Sequence, residues 1–186
     1  MNHKLDLLGN AMDSLEEALK KFEEGDAGDQ KAYKFCVLHM AHFIELIFKH
    51  HITEKHPLLI YANPFAPKID PATAKTIGLW EAVNFINNED KDAVSGDFKK
   101  DLDWLKRLRN DIEHHKFEMD VATARITIGR LFPRSDRAPF IAPVAADRLC
   151  QLIQQAPGLA DFSIGRTLRI SSGFYTSQAL ELVRTA

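Results

Sequence analysis

Phe35-Cys36-Val37-Leu38-His39-Met40-Ala41-His42-Phe43-Ile44-Glu45-Leu46-Ile47-Phe48 is the most apolar run of the chain. Its length and its three polar interruptions, His39, His42 and Glu45, decide how the rest is read. A membrane-spanning helix needs roughly 20 apolar residues in succession, and this run is too short and too often broken. A helix that is apolar on most of its sides belongs at the centre of a bundle. The pattern predicts such a helix over about 30–55, with His39, His42, Glu45 and Lys49 as its one polar stripe. His56-Pro57 ends it, because a residue before proline is pushed out of helical geometry.

The neighbouring segments carry the complementary faces that a central helix needs. Leu5, Leu8, Met12, Leu15, Leu19 and Phe22 recur at steps of three and four, which makes one amphipathic helix; Gly25-Asp26-Ala27-Gly28 ends it, and Asp29 caps the next. Pro57 to Pro71 reads as a long irregular connection. Asp70-Pro71 reads as a cap and first turn, opening a short helix over about 72–88 with Leu79, Trp80, Val83 and Ile86. A fourth helix begins near Asp97 and aligns Phe98, Leu102, Leu105, Arg109 and Ile112. A fifth, from Asp120 to Leu131, aligns Val121, Ala124, Ile128 and Leu131. The expected fold is all-α, an antiparallel bundle of four to five helices over residues 1–132. Residues 133–186 form a C-terminal extension of unassigned role, where Val144–Gln155 and Ser177–Arg184 are further helical stretches and 164–170 alternates like a strand.

Composition separates these two parts. All fourteen lysines lie at or before Lys116, and all ten arginines at or after Arg107. Residues 1–132 hold 18 basic and 22 acidic side chains; residues 133–186 hold 6 and 4. The net charge of −2 gives no overall field that would gather nucleic acid. Cys36 and Cys150 fit no metal or redox spacing, and no signal-peptide pattern follows Met1, so a cytoplasmic protein with reduced thiols and no membrane contact is expected.

Two residues of the fourth helix stand out chemically. Arg109 sits in an apolar seam, where a guanidinium stays charged and needs a carboxylate; Glu45 of the central helix is the candidate partner. His114 is a proton carrier near neutral pH, and Asn110 shares its face at i, i+4. Arg109 and His114 diverge by about 140° on an ideal helix, so they cooperate only if the helix loosens or two chains meet. His39, His42 and Glu45, with Asp111 and His114, could in principle surround a metal. The paired Glu-x-x-His motifs of di-iron bundles are missing, so no metal and no cofactor is expected.

The run Leu105-Lys106-Arg107-Leu108-Arg109-Asn110-Asp111-Ile112-Glu113-His114 resembles the signature of the HEPN superfamily (higher eukaryotes and prokaryotes nucleotide-binding): an arginine, a polar residue, then a histidine after a short interval. The helix with Glu45 and Lys49 is similar to that family's earlier helix. The resemblance implies a metal-independent endoribonuclease of toxin or defence type, acting as a homodimer through an Arg-Asn-x3-His motif. His114 would be the acid or base, Arg109 would hold the phosphate and Asn110 would position it, with His115, Glu45, His42 and Lys49 as accessory residues. The alternative that it leaves open is a non-catalytic nucleotide-binding or protein-interaction module, with RNA, a nucleotide or a cognate antitoxin as partner.

Overall fold

The computed structural model describes residues 6–91, 93–114 and 119–131. They form five α-helices: α1 (Leu7–Asp26), α2 (Ala32–Lys55), α3 (Leu79–Glu89), α4 (Gly96–His114) and α5 (Val121–Leu131). A 3-10 turn, Pro57–Ile60, follows α2. Among the described residues there is no strand, only an isolated antiparallel bridge between Tyr61 and Thr76. The architecture is the all-α bundle expected, and α2 is its axis: α1, α3, α4, α5 and the 3-10 turn all pack against it.

The helix ends follow from local chemistry. Asp6 caps α1, its carboxylate accepting from the Gly9 N–H at 2.6 Å. Gly28 takes φ +116° in the turn to α2, where a side chain would be strained. Asp120 caps α5 through the Thr123 N–H at 2.7 Å. Leu15, Leu19 and Phe22 of α1 close over Cys36, Val37, Met40, Phe43 and Ile44 of α2, all buried. Phe22 meets Tyr33 edge to face, with ring centres 5.7 Å apart. Phe98, Leu102 and Leu105 of α4 and Ala124, Ile128 and Leu131 of α5 complete the core. Burial of each large side chain of this kind contributes about 1.5–3 kcal/mol. No helix among the described residues is long and apolar enough to cross a membrane.

One element differs from expectation. The third helix starts at Leu79, not near residue 72. Asp70 does cap, but it closes a single turn, its carboxylate accepting from the Ala72 N–H and the Thr73 hydroxyl. Residues 72–75 have no apolar side to bury beyond Ala72 and Ala74, which are small, so the turn does not propagate. The true start is Gly78, whose N–H donates to the Glu81 carboxylate. Between them, residues 61–77 form a loop closed at its base by backbone bonds from Ala62 N to Lys75 O and from Ile77 N to Ile60 O. The stretches 144–155, 164–170 and 177–184 lie outside the described residues.

Candidate functional site

Where α2, the start of α3 and the second half of α4 converge, they leave a cleft of about 410 Å³. Ala41 and Glu45 of α2 form its floor with Leu105 of α4. Leu79, Trp80 and Glu81, together with Gly78, make one wall; Lys106, Arg109 and Asn110 make the other. The α4 residues reach it because 105, 106, 109 and 110 lie one helical turn apart on a single face. Lys106 and Asn110 stand at the exposed rim, whereas Leu105 is buried.

A charged chain runs through the floor. Lys49, only 8% exposed, donates to Glu45 at 2.7 Å and to the Thr76 hydroxyl at 3.0 Å. The other oxygen of Glu45 takes Arg109 Nη1 at 3.3 Å, and Arg109 Nε reaches Glu113 at 3.1 Å. The cationic seam position is therefore satisfied by the carboxylate of the central helix, and Arg109 lies at the seam's edge with its side chain 38% exposed. Lys49 also ties α2 to the base of the 61–77 loop through Thr76, which positions the wall carrying Trp80.

The residues expected from the sequence separate into two groups. Glu45, Arg109 and Asn110 share the cleft. His114 is exposed in the last turn of α4 and does not line it. The helix continues through His114 without loosening, so the divergence from Arg109 persists within one chain. His42 is turned toward α1, its Nδ1 2.8 Å from the hydroxyl of buried Ser14, which also bonds the Asn10 carbonyl. Partial burial of the ring lowers the His42 pKa; Glu45 opposes that shift, while Arg109, His39 and Lys49 add to it. His115 lies outside the described residues. Among the described residues no group of three or more His, Cys, Asp or Glu is placed to hold a metal. Trp80, Glu81 and Lys106 went unrecognised as site residues. The only signal for Lys106 was its i, i+3 relation to Arg109, and nothing in the sequence places Trp80 opposite them.

A second polar cluster joins α5 to the bundle. Buried Tyr33 donates its hydroxyl to Asp26, whose other oxygen receives Arg125 Nη2 at 2.8 Å. Desolvation, with Asp26 beside it, pushes the Tyr33 hydroxyl well above the ordinary tyrosine range.

Comparison with known proteins revises the family expectation. Residues 120–184 match the model of the magnesium-protoporphyrin IX methyltransferase C-terminus, about a third of the chain. No curated protein and no solved structure matches it. The match is to a family other than HEPN, so the HEPN resemblance is not upheld. The metal-independent ribonuclease, its toxin role and the nucleotide-binding alternative rested on that resemblance and fall with it. Of the two residues of that spacing, Arg109 is ion-paired at the edge of the seam and His114 is exposed at the end of α4.

Proposed function

We propose that the chain has a methyltransferase-type function directed at a porphyrin, with residues 120–184 as the segment that carries it. The observation behind this reading is the family match over those residues. Two features of the chain describe how that segment joins the rest. Lysine gives way to arginine around residues 107–116, so the matched part differs in composition from most of the bundle. The match nevertheless begins at the cap of α5, and α5 is a core helix: Ala124, Ile128 and Leu131 are buried, and Arg125 pairs with Asp26 of α1. The start of the matched segment is thus part of the helical core.

A methyl transfer needs an activated donor. Helical N-termini after a strand and a glycine-rich turn are the usual cradle for a nucleoside-bearing one, and the described residues contain no such turn, so the donor is not assigned to the bundle. We place the protein in the cytoplasm, in keeping with a free thiol at Cys36.

The test is direct. Full-length protein is incubated with magnesium protoporphyrin IX and methyl-labelled S-adenosylmethionine, and the porphyrin is analysed by chromatography and mass spectrometry. Label appearing in a porphyrin heavier by one CH2 is the expected result. A folded, helical protein that leaves the porphyrin unmodified with both substrates in excess would overturn the proposal.

A further inference from the structure

The cleft between α2, α3 and α4 is built entirely from residues 41–110, outside the matched segment, and the proposed methyltransferase reading makes no use of it. Its volume falls within the roughly 300–1,000 Å³ of small-molecule sites. Ala41, Leu79, Trp80 and Leu105 give it an apolar interior with one large aromatic face. Its formal charges balance, Lys106 and Arg109 against Glu45 and Glu81, but they are not equally committed. Glu45 is occupied by Lys49 and Arg109, and one oxygen of Glu81 accepts from the Gly78 N–H. Arg109 spends Nε and Nη1 on Glu113 and Glu45. Lys106 has no partner among the described residues; it is exposed and lines the cleft together with Asn110, one helical turn further on.

We infer that this cleft binds a flat aromatic acid, with its ring against Trp80 and its carboxylate at the rim on Lys106, Asn110 and the remaining N–H groups of Arg109. One ammonium without a carboxylate partner, with Asn110 and the remaining Arg109 N–H groups, offers donors for a single carboxylate. The lining has no surplus of cations, so each further negative charge of a polyphosphate meets Glu45 and Glu81 uncompensated, and the site favours a monoanion over it. The apolar lining favours a ligand with an apolar body, and a cleft of about 410 Å³ has room for a fused two-ring system.

Naphthalene-2-carboxylate and its neutral amide, naphthalene-2-carboxamide, serve as the probe pair, titrated into full-length 15N-labelled protein. The chain has two tryptophans, so the indole signal of Trp80 is identified by its loss in Trp80→Phe. The carboxylate should shift that signal and the amides of Gly78–Glu81 and Lys106–Asn110 saturably, and the amide should bind about tenfold more weakly. Lys106→Gln should weaken the carboxylate about threefold to fivefold, as for an exposed ion pair. Lys100→Gln, on the same helix but paired with Asp97 and outside the cleft lining, should leave it unchanged. Equal binding of acid and amide, equal loss in the two lysine variants, or no saturable shift at millimolar ligand overturns the inference. Tighter binding of ATP than of the naphthoate overturns the preference for a monoanion. The experiment contains neither porphyrin nor methyl donor, so its outcome is separate from that of the methyl-transfer assay.

Discussion

Replacing Glu45 by leucine tests the charged floor of the cleft. The substitution leaves Lys49, 8% exposed, with only the Thr76 hydroxyl, and takes from Arg109 its contact to α2. Removing one partner of a fully buried pair costs about 3–5 kcal/mol, whereas an exposed pair contributes about 0–1 kcal/mol. Glu45 itself is 25% exposed and Arg109 keeps Glu113, so the arginine side adds little and the lysine side dominates. The expected loss is about 2–4 kcal/mol. With a urea slope of about 2 kcal/mol/M, the unfolding midpoint falls by about 1–2 M. Lys49→Met should cost less, about 1–2 kcal/mol, because Glu45 retains Arg109 and some water. The double variant removes both charges and restores an apolar contact between neighbouring turns of α2, so it should lie within about 1 kcal/mol of the parent. Urea unfolding of the four proteins, followed by far-ultraviolet circular dichroism, gives the full cycle. A Glu45→Leu midpoint within about 0.3 M of the parent, or strictly additive single effects, would refute the claim that Lys49 is held by that carboxylate.

Three further expectations concern the frame around the cleft. Gly25→Ala ordinarily favours a helix by about 1 kcal/mol, but here the new Cβ would lie 2.7 Å from the Tyr33 ring, which Asp26 holds in place; a net loss of about 1–3 kcal/mol should lower the thermal midpoint by several degrees, and an unchanged or raised midpoint would contradict it. Asp26→Ala leaves the buried Tyr33 hydroxyl without its acceptor and frees Arg125 from α1, at about 1–3 kcal/mol; hydrogen exchange should show faster exchange across Val121–Leu131 in this variant, and unaltered protection there would show that the cluster does not anchor α5. His42 binds its proton less tightly in the folded chain than in the unfolded one, since burial lowers its pKa. Its contribution is therefore complete above the ordinary histidine value and is lost as pH falls through and below that value. His42→Gln should flatten that part of the pH dependence of the urea midpoint, and an imidazole that titrates at or above the ordinary value by NMR would reverse the sign.

The parts of this structure that could be read from sequence are those fixed by local periodicity. Phe35 to Phe48 had to be central because apolar residues surround the helix, and Leu15, Leu19 and Phe22 had to face it because they repeat every three or four positions. The pairing of Arg109 with Glu45 was legible for a related reason: a guanidinium in an apolar seam needs a carboxylate, and few lay within reach. The failures began where a short-range signal met a long-range decision. Asp70-Pro71 has the chemistry of a helix start and does cap a turn, but extension of that turn depends on an apolar face that residues 72–75 lack. Trp80 enters the cleft only because Gly78 starts α3 beside α4, a juxtaposition that neither segment encodes alone. The divergence of Arg109 and His114 around the helix was legible from their spacing, and the structure keeps it: Arg109 lines the cleft and His114 does not. The family reading failed on a short-range signal. An arginine and a histidine five positions apart use common residue types and specify little, whereas the match over residues 120–184 draws on a whole segment. Charge placement tells what a side chain must be paired with in order to be buried; it says nothing of ligand binding until the geometry leaves some of that charge uncommitted beside a cleft, as it does at Lys106.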